Sequence, residues 1–179
     1  MLAKTVTKNE FDRGKFWSFS LLAMMLGLFA MVGIPTSAMA QDEPREVSLG
    51  RSLFAGKANC SQCHGWHGDG AAGHMGNGPS LRITYLDEEG LIETISCGRP
   101  GTYMPYHMGT AYRESFPCYG FTDKEQLGDM TVAVGVPMRS REIANIAKFI
   151  MAEIREKELD LGYCERYYGA NSRNCDGYR

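Results

Sequence analysis

Apolar residues recur along this chain at helical spacing. Ile143, Ile146, Ala147, Ile150 and Ile154 follow one another at steps of three and four, the period of a single helix face. Ser140 stands where an N-cap belongs and Glu142 falls in the first turn, so the pattern predicts a helix from Ser140 through Ile154. Ser48 to Phe54 predicts a shorter helix with Gly50 and Phe54 one turn apart on the same face. A third starts at Asp87 and carries Leu91, Ile92 and Ile95. Residues 65–79 contain six glycines, too many for a regular helix or strand, and predict a loop.

The longest apolar run, Phe16 to Ile34, has a different setting. Lys4, Lys8, Arg13 and Lys15 precede it, and Ala38-Met39-Ala40 follows with small residues at the two positions a leader peptidase reads. Residues 1–40 are therefore expected to be a signal peptide, cut after Ala40. The alternative is a retained membrane anchor, because the run approaches the roughly 20 residues that span a bilayer. Removing the leader takes four of 19 basic and two of 21 acidic residues, leaving 15 against 19, a net charge of −4. With that balance and no basic patch, nucleic acid is not an expected partner. The remaining length suits one domain.

All six cysteines lie beyond the leader, where an oxidising compartment makes each thiol a candidate for a disulfide, a metal or a cofactor link. Cys60-Ser61-Gln62-Cys63-His64 is the C-x-x-C-H pattern of covalent c-type haem attachment. Two thiols one helical turn apart can each add to a vinyl group of one porphyrin, and the adjacent imidazole is then directed at the iron, which makes His64 the proximal ligand. Chance placement of this composition yields about 0.004 such matches. A thioredoxin-like pair would need a βαβ context, and a zinc site a second pair of ligands; neither is present.

With this motif between a Gly50/Phe54 helix and an Ile-striped last helix, the chain resembles the mono-haem class I cytochromes c over about Val47 to Ile154. In that family the glycine and the aromatic let the first helix cross the last closely. Gly98-Arg99-Pro100-Gly101-Thr102-Tyr103-Met104-Pro105 resembles the family's distal loop, in which the methionine before proline bonds the iron through its thioether. The resemblance thus implies Met104, 40 residues after His64, as the sixth ligand, with His107, Met108, His74 and Met75 as competitors. Gly78-Pro79 resembles the segment whose proline carbonyl accepts a hydrogen bond from the proximal imidazole, which would give Pro79 that role. The plain alternative for it is a turn. Asp69 resembles a calcium ligand, but no set of oxygen ligands accompanies it.

Two stretches exceed the minimal family: residues 111–139, carrying Cys118, and an extension over 158–179 with Cys164 and Cys175 and with Tyr163, Tyr167, Tyr168 and Tyr178. Cys97, Cys118, Cys164 and Cys175 permit three pairings. Cys97 with Cys118 and Cys164 with Cys175 are preferred because each bridge then closes a short loop within one region; the functional alternative is a redox-active pair or iron ligation by Cys97. The four additional cysteines are similar to those of a small group found beside quinoprotein alcohol dehydrogenases in methylotrophic bacteria. That likeness implies a periplasmic dehydrogenase as donor and another cytochrome or a terminal oxidase as acceptor.

The expectation is an all-α fold: cytochrome c-like helices around one covalently attached haem c in residues 41–157, with a disulfide-stapled insertion and C-terminal extension. Cys60, Cys63, His64, Met104 and Pro79 form its site. The function expected is a one-electron carrier in the periplasm, not an enzyme, meeting a membrane only if the leader is uncleaved. An anchored subunit of a dehydrogenase or respiratory complex, or a haem sensor or enzyme with an open iron position, are the alternatives.

Overall fold

The computed structural model describes residues 43–70 and 78–179. The predicted leader over residues 1–40, and the candidates His74 and Met75, lie outside the described residues.

Helix α1 (Arg45–Ala55) starts three residues before the apolar pattern does, because the Pro44 carbonyl accepts from the Val47 and Ser48 N–H groups at 2.9 and 3.2 Å. It buries Val47, Gly50 and Phe54. A single turn, α2 (Ser61–His64), follows, and then α3 (Glu88–Cys97), capped by Asp87 Oδ1 accepting from Gly90 N–H at 2.8 Å. The last long helix, α4 (Ser140–Phe149), begins with Ser140 as its first residue rather than its cap. Arg139 holds the cap position, and Glu142 reaches back to accept its N–H at 2.8 Å. The predicted stripe then passes into a π-helical turn, Ile150–Ile154, which keeps both of its isoleucines buried.

α1 crosses α4 at Gly50. A β-carbon there would lie 2.0 Å from the Asn145 carbonyl oxygen and 2.8 Å from Phe149 Cβ, so only glycine allows this approach. Phe54 meets Phe149 edge to face at 5.5 Å just beyond the crossing. The main core gathers these side chains with Leu91, Ile95, Met138, Ile143, Ile146 and Ile154.

An all-α expectation omits one element. β1 (Tyr106–Met108) and β2 (Val134–Met138) pair in parallel, with Tyr106 opposite Val134 and Met108 opposite Met138. A parallel pair needs a crossover of a dozen or more residues, and residues 109–133 supply it. The fold is thus mostly helical with a small sheet. The crossover has its own core of Cys97, Ala111, Tyr112, Cys118 and Leu127. Within it Tyr112 OH donates to the Cys97 carbonyl at 2.8 Å, and Cys97 is bridged to Cys118. The C-terminal extension forms α5 (Leu161–Tyr168) and a 3₁₀ turn, Arg173–Tyr178, joined by the Cys164–Cys175 bridge. Both bridges are the pairs preferred from loop length.

Candidate functional site

Cys60 caps α2 and Cys63 lies one turn on; the Cys63 and His64 N–H groups reach the Cys60 carbonyl at 3.2 and 2.9 Å. Both thiols are half-buried and unbridged. Burial pushes the Cys60 thiol up to about 12, only partly offset by its own backbone hydrogen bond, with Cys63 adding to the rise. The protein alone therefore keeps this sulfur as a thiol.

His64 is buried at the end of this turn, and its Nδ1 lies 2.9 Å from the Pro79 carbonyl oxygen. A carbonyl only accepts, so Nδ1 carries the proton and Nε2 keeps its lone pair. Burial lowers the pKa of His64 and outweighs the Pro79 bond that raises it, while the Arg99 charge lowers it further. The imidazole is thus held neutral and in one tautomer, the form that ligates a metal. The backbone encloses it. Gly78 N–H donates to the Cys63 carbonyl at 2.7 Å and Gly70 N–H to the His64 carbonyl at 2.8 Å. A β-carbon on Gly78 would stand 2.8 Å from Nδ1, so the close approach of Pro79 requires this glycine.

The loop carrying Met104 leaves α3 at Gly98, whose φ of +67° suits glycine. Arg99 N–H donates to the Met104 carbonyl at 3.1 Å, Met104 N–H to Thr102 Oγ1 at 3.1 Å, and Gly101 N–H to the Thr131 carbonyl at 2.7 Å. Met104 is half-buried against the main core, whose margin also holds Cys60, Leu81, Met108 and Met151; neighbouring Tyr103 is 98% exposed. His107 faces β2. It is buried, with Nδ1 2.9 Å from the Val136 carbonyl oxygen and its ring over Gly135, where a β-carbon would come within 2.6 Å.

Cys60, Cys63, His64 and Pro79 therefore form one assembly, and Met104 packs on the same core as Cys60. Two unbridged thiols one turn apart, a neutral imidazole whose Nε2 carries no proton and a thioether make a donor set that fits haem c. A family model for cytochrome c matches residues 47–152. The chain belongs to the cytochrome c family. Membership implies a covalently bound c-type haem and electron transfer. No curated protein and no solved structure matches the chain. The matched span of this cytochrome c ends before α5, so the extension lies outside it. Among the described residues no helix is long and apolar enough to cross a membrane. No group of three or more His, Cys, Asp and Glu able to hold a metal occurs among them either. Asp69 instead lies 3.5 Å from His67 Nε2.

One group beside the site escaped the sequence reading. Trp66, two residues past His64, has Tyr163, Tyr167, Tyr168 and Tyr178 around its ring, with centroids at 5.7, 5.5, 5.0 and 6.1 Å. Tyr163 OH also donates to the Trp66 carbonyl at 3.1 Å. Burial raises the pKa of Tyr167, opposed by a hydrogen bond with the Ser61 side chain. The four tyrosines were visible in the sequence, but nothing local linked them to Trp66.

Proposed function

We propose that this chain is a periplasmic one-electron carrier with a single haem c, exported by a leader cut after Ala40. Cys60 and Cys63 would hold the cofactor, and His64 and Met104 would ligate its iron. When bound, the haem would supply a one-electron couple. The protein does the rest. Pro79 fixes the His64 tautomer and strengthens the imidazole as a donor. Met104 offers a soft thioether, which raises the potential above that of a bis-His pair. The assignment of Met104 over His107 is supported by its packing on the core that Cys60 borders, whereas the His107 ring rests on Gly135 with Nδ1 bonded to Val136. The partners we propose are redox proteins: a periplasmic dehydrogenase, of the quinoprotein alcohol-oxidising kind, as donor, and another cytochrome or a terminal oxidase as acceptor.

The observation that carries this reading is the neutral, singly oriented His64 at the end of the Cys60–Cys63 turn, inside a cytochrome c domain. Acid-solvent extraction followed by mass measurement tests it. Retention of one haem mass per chain beginning at Gln41 is expected. Freely extracted haem would overturn the attachment, and a chain retained in membranes from near Met1 would turn the carrier into an anchored subunit.

A further inference from the structure

We propose that Tyr163, in the C-terminal extension, is a positioning residue for the proximal ligand, acting on His64 through the backbone of the loop that follows it. The proposal rests on the haem-carrier reading and deepens it, giving the disulfide-closed extension a task in setting the redox equilibrium.

The connection alternates hydrogen bonds with short stretches of backbone. Tyr163 is buried, and its hydroxyl donates to the Trp66 carbonyl at 3.1 Å. Two residues on, the Gly68 carbonyl accepts from Leu81 N–H at 2.7 Å and from Ser80 Oγ at 3.4 Å. Leu81 and Ser80 directly follow Pro79, whose carbonyl receives the His64 Nδ1 proton at 2.9 Å. Arg82 continues the tie, with Nη1 on the His67 carbonyl at 3.2 Å. Loop 65–70 is thus the surface against which the Pro79 segment is registered, and the extension pins its far side. Space at Gly68 is already taken up from a third direction, since a β-carbon there would meet Ile154 Cγ2 at 2.6 Å.

Tyr163 itself has little freedom. Its N–H donates to Asp160 Oδ1 at 2.6 Å, the helix that carries it is bridged by Cys164–Cys175, and its ring packs on Trp66. The Trp66 carbonyl is only half-buried, so without its donor it must shift toward solvent or toward another partner. Loss of the hydroxyl would therefore loosen loop 65–70, lengthen the His64–Pro79 hydrogen bond and weaken the imidazole as a donor. A weaker donor stabilises ferric iron less, so the potential must rise.

The test is Tyr163→Phe in the full, haem-loaded chain, read by redox titration and by the His64 ring resonances in NMR. The ferric–ferrous equilibrium constant should move about threefold to tenfold toward the ferrous state, where tenfold for one electron is about 59 mV, and the His64 signals should move with it. Tyr168→Phe and Tyr178→Phe, which alter hydroxyls with no bond to that carbonyl, should leave both readouts in place. A Tyr163→Phe protein that melts earlier at unchanged potential has lost structural support only and overturns the proposal. If the variant does not accumulate in loaded form, Cys164→Ala/Cys175→Ala decides: a raised potential supports the proposal and an unchanged one overturns it. A wild-type chain without covalent haem would refute the carrier reading as well, whereas a loaded wild type indifferent to Tyr163 refutes this inference alone.

Discussion

Gly50→Ala puts one methyl group where α1 meets the backbone of α4. The new carbon would stand 2.0 Å from the Asn145 carbonyl oxygen, where ordinary contact begins at 3.4 Å, so α1 and α4 must separate by 3.4 − 2.0 = 1.4 Å. The obstacle is backbone, which cannot rotate aside, and overpacking then costs about 3 kcal/mol, the upper end of its usual range. Opening the Phe54–Phe149 pair removes up to about 1 kcal/mol more. Alanine's helix propensity returns about 1 kcal/mol. The net destabilisation is about 3 kcal/mol, or roughly 10 °C in melting temperature for a domain of this size. Thermal unfolding followed by far-ultraviolet circular dichroism, with a urea titration, measures both figures. Gly162→Ala in α5 is the control, because its β-carbon would meet only the end of the Arg166 side chain and Asp160 Oδ1, at 3.3 and 3.4 Å. It should be neutral to stabilising by up to about 1 kcal/mol. A Gly50→Ala protein as stable as the wild type would refute the argument that this crossing demands glycine.

Met104→Ala should abolish the weak far-red charge-transfer band of a thioether-bound ferric haem and let carbon monoxide bind the ferrous form, while His107→Ala leaves both unchanged; the reverse result would exchange the two assignments. The Arg139 N–H and then Lys57, whose Nζ lies 2.9 Å from both carboxylate oxygens, hold Glu142 below the usual carboxylate range. Its contribution is therefore complete above the unfolded-state pKa and disappears as pH falls through the lower folded value, so Glu142→Gln should flatten the acid limb of the stability curve and cost most near neutrality. Replacing Cys164 and Cys175 with alanine should lower stability by about 2–4 kcal/mol in equilibrium unfolding, and a loss near zero would show the extension to be held by its aromatic packing alone.

What was legible in the sequence was whatever repeats locally. The isoleucine stripe of α4, the Gly50/Phe54 pair and the Cys60–His64 turn each lie within a few residues, and both disulfides close short loops. The sheet was missed although Val132, Val134 and Val136 alternate as a strand does. Its partner, Tyr106–Met108, is only three residues long and too far away in sequence for any window to pair them. Tyr163 and Trp66 are separated by 97 positions, and only the folded chain brings the hydroxyl to its carbonyl. The resemblance implied a bond from the His64 imidazole to the Pro79 carbonyl, and the folded chain places the two at 2.9 Å.

The crossover's separate core bears on how the molecule opens. Gly101 hangs from Thr131 and Tyr106 from Ala133, so the loop that carries Met104 is fastened to the crossover and not only to the helices. Subglobal unfolding follows such divisions. A fluctuation that melts the Cys118 region would free the Met104 loop while α1 and α4 stay packed. In native-state hydrogen exchange, the amides of Gly101 and Tyr106 should therefore exchange together with those of Cys118 and Phe121, well before the α4 amides that report global unfolding.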